Sequence, residues 1–329
     1  MIGQTQRNLS LDILRIMACL GVISIHSWGA AIVHDMVELG SLGYFECLIM
    51  DALSRWSVPV FAMLTGFFLL DPMKDIPLKK LFLKYLARIV VALAFWAVFY
   101  AVTLHSAIYP FGPQGAHFWY LGMLIGLYLS LPILRIIACH PSVLQYYCIA
   151  WALYLCYVFL GNFIVLPFQI QEVVFLRYSG YCLVAFYLKI NCSDPEKNKC
   201  FATIIYILGF IGLLITIVAP VLVKSVNTCW WLYDAPNVSA TAIALFLFFV
   251  RHPLSFSCRV SSLIELCAKC TFGIYLIHMW VIIQLFFRLH RFFPNPIPLN
   301  ILCVSAAFFL SFFVTWLIKK IPYLGRYIV

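Results

Sequence analysis

Apolar runs close to twenty residues long recur from one end of this 329-residue chain to the other. Each is long enough to cross about 30 Å of hydrocarbon at about 1.5 Å per helical residue. Backbone groups inside a bilayer cannot reach water, so such runs are read as helices. Composition agrees: 64% of residues are hydrophobic and 10% are charged, against about 25% charged in an ordinary soluble domain. The chain is expected to be an all-α polytopic membrane protein, one transmembrane domain over residues 1–329 with no fused extracytoplasmic domain. The first run is too long for a signal peptide and lacks a small-residue cleavage pattern, so it is expected to remain as the first helix.

Reading the runs against Lys and Arg gives ten spans, at 10–33, 47–70, 85–104, 118–138, 143–165, 173–190, 200–223, 238–250, 263–286 and 298–318. Lys and Arg concentrate on the cytoplasmic side of membrane proteins. With the N-terminus inside, sixteen of the 22 Lys and Arg fall in inner segments and three (Lys224, Arg288, Arg291) in outer ones. The other three (Arg15, Arg55, Arg177) lie within spans. Both termini are therefore expected in the cytoplasm. The net charge of +10 reflects this loop bias and not a basic face interleaved with aromatics, so no nucleic-acid partner is expected. Most of the 13 Cys lie within apolar runs, where Cys behaves as a small hydrophobe. Cys267 and Cys270 have C-x-x-C spacing, yet no second pair or histidine accompanies them, and no metal site is expected.

Ionisable groups inside a span are costly and mark function. In the first span Arg15 and His26 are eleven residues apart. At about 100° per residue they share one helix face, about 16 Å apart along the axis. Asp12, three residues before Arg15, is placed to pair with it. In RWSVPVFAMLTGFFLL of the second span, Arg55 lies near the outer end, Pro59 is expected to bend the helix, and Thr65-Gly66 permits close helix approach. His117 opens HFWYLG at the outer mouth of the fourth span, and His278 closes TFGIYLIH in the ninth. His26, Arg55, His117 and His278 are expected at similar depth, with Arg15 alone near the inner side. Each has a blander reading: snorkelling for Arg15, an interhelical hydrogen bond for the histidines, and an interfacial belt for the Trp- and Tyr-rich outer loops.

Arg15 with His26, RWSVPVFAMLTG, HFWYL and TFGIYLIH, in this order across essentially the whole chain, resemble the integral-membrane acyltransferase family 3. That family O-acetylates bacterial polysaccharides and related glycans. Its second-span motif usually reads F-x-x-S-G, whereas Phe61 is followed here by Ala62-Met63-Leu64-Thr65-Gly66, so Thr65 keeps the hydroxyl. The resemblance implies a multi-pass protein of the bacterial cytoplasmic membrane. It further implies an acyl donor from the cytoplasm, acetyl-CoA, and a glycan acceptor reached from the outer side. Without a fused hydrolase-like domain, acylation is expected to be direct or to use a separate partner.

Thioester chemistry needs a base for the acceptor hydroxyl and cations for an anionic donor. The expected catalytic residues are His26, as base, and Arg15, which with Asp12 holds the donor. Arg55 is expected to hold the acceptor or the oxyanion of the tetrahedral intermediate, with His117, Trp119, Tyr120 and His278 lining the acceptor pocket. The competing function is a secondary transporter of a glycan-related molecule, since buried Arg and His also mark substrate pathways. A scaffold would have no use for them.

Overall fold

The computed structural model describes residues 7–34, 36–105, 117–165, 174–224, 228–293, 295–322 and 324–329. The chain is all-α, with no strand among the described residues. Helix α1 (Leu9–Val33) is followed by α2 (Leu42–Ala52), α3 (Ser57–Leu69) and the short α4 (Leu78–Lys80). A π-helical turn, Leu81–Leu86, leads from α4 into α5 (Ala87–Thr103). Next come α6 (Trp119–Ala138), α7 (Pro141–Leu160), α8 (Val174–Cys192) and α9 (Lys199–Val223). The last are α10 (Pro236–Arg251), α11 (Cys258–Leu289), α12 (Pro296–Lys319) and α13 (Leu324–Ile328). The expected outer connections at 105–117 and 224–237 and the start of the sixth span lie partly outside the described residues.

Nine helical segments among the described residues are long and apolar enough to cross a membrane, not ten. The missing one is the sixth span, α8. Its ends carry Arg177, Lys189 and Asn191, and its middle is walled in by protein, with Tyr181, Leu183 and Ala185 fully buried. A helix screened from lipid by α3, α6, α7 and α10 can be less apolar than its neighbours. Arg177 is neutralised there by Asp234, Nε to Oδ2 at 2.5 Å and Nη2 to Oδ1 at 2.7 Å. Outside this interior layer, α7, α9 and α12 turn side chains such as Leu153, Phe210 and Phe309 outward, as lipid-facing helices should.

The second span is broken in two, but Pro59 does not break it. The chain leaves the helix at Leu53–Trp56, where Ser54 Oγ donates to the Met50 carbonyl at 3.0 Å and Trp56 Nε1 to the Leu53 carbonyl at 2.7 Å. Pro59 then falls in the first turn of α3, where an N–H is not needed for the helical ladder. Close approach at Gly66 is as expected. A Cβ there would lie 2.2 Å from the Cys182 carbonyl oxygen and 2.3 Å from the Cys182 Cα. Both are backbone atoms of α8 and cannot swing aside, so α3 and α8 would have to separate. Gly66→Ala is expected to destabilise by about 1–3 kcal/mol and to lower Tm in detergent. Gly122→Ala, with nothing within 4 Å, should leave Tm unchanged or raise it.

Where α3 ends, Asp71 accepts from Lys189 of α8 at 2.7 Å. This hydrogen bond is the main reason that Asp71 titrates below the usual carboxylate range. A lowered folded-state pKa stabilises above the unfolded value and the benefit is lost as pH falls through the folded one. The Tm advantage of the parent over Asp71→Asn should therefore hold at neutral pH and close below about pH 4. Arg135 clamps the same turn, donating to the carbonyls of Leu69 at 2.7 Å and Lys74 at 2.6 Å. Arg251 does likewise between α8 and α9, donating to the carbonyls of Cys192 and Lys197, each at 3.0 Å.

Candidate functional site

A cavity of about 510 Å³ lies inside the bundle, and Arg15 and His26 both stand on its wall. Helical periodicity explains how. From α1 come Arg15, Val22, Ile25 and His26, one stripe at spacings of seven, three and one. Helix α11 supplies Ala268, Thr271, Phe272 and Tyr275, at i, i+3, i+4 and i+7. From α6 come Tyr120, Leu124 and Tyr128, at i, i+4 and i+8. The π-helical turn supplies Tyr85, with Arg88 following at the start of α5. Such turns inside helices are frequent at functional sites, because they re-aim side chains.

At the Arg15 end the wall is basic. Arg15, Arg88, Lys269 and Lys319 all line the cavity, and no Asp or Glu does among the described residues. The nearby acids stand behind the wall. Asp12, expected to hold the donor with Arg15, is buried and off the wall. It is gripped chiefly by Arg7, Nε to Oδ2 at 2.5 Å and Nη2 to Oδ1 at 3.2 Å, and touches Arg15 only at 3.7 Å. A carboxylate set among cations cannot itself bind an anionic donor; Asp12 fixes Arg7 and Arg15 instead. Glu265 pairs with Lys269 at 3.2 Å. Arg88 donates to the Val329 carbonyl at 2.7 Å and lies 5.0 Å from the Phe272 ring, and Arg15 lies 5.3 Å from the Phe68 ring. The guanidiniums are thus held from behind and left with donors to spare.

At the other end three imidazoles meet. The ring of His26 lies 5.3 Å from that of His278 and 6.3 Å from that of His117, and the latter two are 5.6 Å apart. His26, half-buried on the cavity wall, makes no hydrogen bond among the described residues, whereas His278 is fully buried. Nδ1 of His278 donates to the Tyr275 carbonyl at 2.6 Å. The Tyr275 hydroxyl in turn donates to the His117 carbonyl, tying the start of α6 to α11. No group of three or more His, Cys, Asp or Glu among the described residues could hold a metal ion.

The expected depth grouping thus brings the three histidines together, but two roles change. His278 is not on the cavity wall and cannot line an acceptor pocket directly. Arg55 is also off the wall. Its guanidinium is engaged by Asp51, Nε to Oδ1 at 2.6 Å and Nη2 to Oδ2 at 2.9 Å, and lies 4.5 Å from the Trp231 ring. Facing a carboxylate and covered by an indole, it is not free to receive an oxyanion. It supports Tyr233, whose ring is 5.7 Å away and does line the cavity. Trp119 and Tyr120 are on the wall as expected. Trp119 stacks on Tyr233, centroids 5.6 Å apart and planes 13° apart, making an aromatic platform beside the histidines.

The helical bundle thus sets four cations at one end of a cavity and clustered imidazoles at the other. The acyltransferase family 3 model, described as an acyltransferase domain, matches residues 8–320, and the chain belongs to that family. No curated protein and no solved structure matches it.

Arg88, Lys269, Lys319 and Tyr233 were not singled out by their sequence context. Arg88 and Lys319 lie at the ends of α5 and α12 and Lys269 lies in the cytoplasmic-side part of its span as the sequence assigns it, so all three read as orientation signals. The spacing of Phe272 and Tyr275 around the lysine-bearing turn of α11 was the one available cue.

Proposed function

We propose that this protein is a membrane-embedded O-acyltransferase that moves an acetyl group from cytoplasmic acetyl-CoA to a hydroxyl of a polysaccharide or lipid-linked glycan on the other side of the bacterial cytoplasmic membrane. The observation that carries this reading is that one cavity has four cations at one end and His26 at the other. The phosphates of the donor bind Arg15, Arg88, Lys269 and Lys319 through charge-assisted hydrogen bonds. Its extended arm spans the rise of about 16 Å between Arg15 and His26. Both termini are placed on the cytoplasmic side, a reading supported by the excess of Lys and Arg in the inner loops.

The acceptor sugar lies against the Trp119–Tyr233 platform. His26 takes the proton of its hydroxyl, and the oxygen attacks the thioester carbonyl. The tetrahedral intermediate collapses with cleavage of the C–S bond, the leaving thiolate takes the proton back from His26, and an ester and free CoA result. The separation of the basic mouth from the imidazoles lets donor and acceptor enter from opposite sides and meet in one chamber, with water largely displaced.

The test is label transfer by the purified, reconstituted protein from radiolabelled acetyl-CoA to a panel of glycans. Alkali-labile label on an acceptor, with stoichiometric release of CoA, is the expected result. Glycan flux across the vesicle membrane with neither label transfer nor CoA release would overturn the assignment in favour of transport.

A further inference from the structure

The three-histidine cluster contains a device that the reaction as written does not use. His278 donates its Nδ1–H to the Tyr275 carbonyl, so in the neutral ring Nε2 is an acceptor. That nitrogen is buried and has no hydrogen-bond partner among the described residues. A buried acceptor left unpaired is costly, of order 1–3 kcal/mol, and calls for an explanation. Across from it stands His26, which makes no hydrogen bond among the described residues and has a ring 5.3 Å away, tilted by 42°. At that separation a modest turn of either ring brings two facing nitrogens to a hydrogen-bonding distance of about 3 Å.

The backbone under His278 is also constrained. The Tyr100 hydroxyl donates to the Leu276 carbonyl at 3.0 Å and accepts from the Trp280 N–H at 2.8 Å. These are the two ends of one i to i−4 pair of α11, with His278 midway between them. A hydroxyl set into the helical ladder at the turn that carries the imidazole fixes the direction in which that imidazole points.

We propose that His278 is a positioning residue for His26: its Nε2 accepts the His26 N–H, which selects the His26 tautomer whose other nitrogen faces the cavity as the base. Tyr100 and the Tyr275 carbonyl hold His278 in place for this. The inference rests on the reading of His26 as the base. The recipient of the hydrogen bond matters because a neutral imidazole has one N–H and one lone pair, and only the tautomer with its lone pair toward the acceptor hydroxyl can take the proton.

The test uses the full-length protein in liposomes, with His278→Leu, which removes the acceptor, and His278→Gln, whose Oε1 restores one near the Nε2 position. His278→Leu is expected to lower kcat at least about tenfold, up to the roughly 10⁴-fold that loss of a positioned tautomer costs elsewhere, with the donor KM unchanged. His278→Gln should recover much of that loss. In a His26→Ala background His278→Leu should cost nothing further, because the two act as a unit. Equal kcat for the parent and His278→Leu would overturn the proposal, as would a His278→Gln protein that binds donor normally yet is as slow as His278→Leu. Either result leaves acyl transfer by the parent intact, so it is distinguishable from failure of the acyltransferase reading, in which the parent itself transfers no label.

Discussion

His26→Ala should lower kcat for acyl transfer by about 10²–10⁴-fold, the usual contribution of a positioned general base, while donor binding stays nearly unchanged. Two features single this ring out. Of the three clustered imidazoles, His278 is sealed behind the wall and only His26 and His117 reach the cavity. Of those two, His26 shares a helix stripe with Arg15, so in the proposed reaction one rigid element would carry both the donor's cation and the base. The loss is expected in kcat because the base acts only once the hydroxyl proton begins to move; a group that merely filled space would change KM as well. Initial rates of label transfer, with donor affinity measured separately by binding, check both halves. Unchanged kcat in a folded His26→Ala protein would remove the base assignment.

Arg15→Ala should act on the other parameter, raising the donor KM about 10- to 100-fold, the equivalent of one charge-assisted hydrogen bond of about 1.5–3 kcal/mol. Asp12 would then keep Arg7 as its partner at 2.5 Å, so no buried carboxylate is stranded and the protein should fold. Arg15→Lys should lie between parent and Arg15→Ala, because an ammonium keeps the charge but loses the planar fork. Arg88, Lys269 and Lys319 line the same end, so the donor KM should also rise with salt, more weakly in Arg15→Ala than in the parent. These are measured as KM for acetyl-CoA at several ionic strengths.

Much of this was legible in the sequence. Helix rise and a period of about 100° per residue place Arg15 and His26 on one face, and span counting sets three histidines at one depth. Both depend only on regular helix geometry, which a bilayer enforces. Three things were not legible. The break at Leu53–Trp56 carries no proline or glycine at the break itself, while Pro59, the obvious breaker, is harmless in a first turn. The partner of Asp12 depends on where Arg7, before the helix, folds back. The burial of α8 comes from its neighbours, and the neutralisation of Arg177 comes from Asp234, far away in sequence. Each of these is decided by contacts between helices, which local patterning does not encode.

The most direct measurement is an electron cryomicroscopy structure of the protein with a non-hydrolysable acetyl-CoA analogue. Phosphate density against Arg15, Arg88, Lys269 and Lys319, with the acyl end beside His26 inside the cavity, is the result predicted. An analogue bound outside the bundle, or one whose acyl end is separated from His26 by packed side chains, would contradict it.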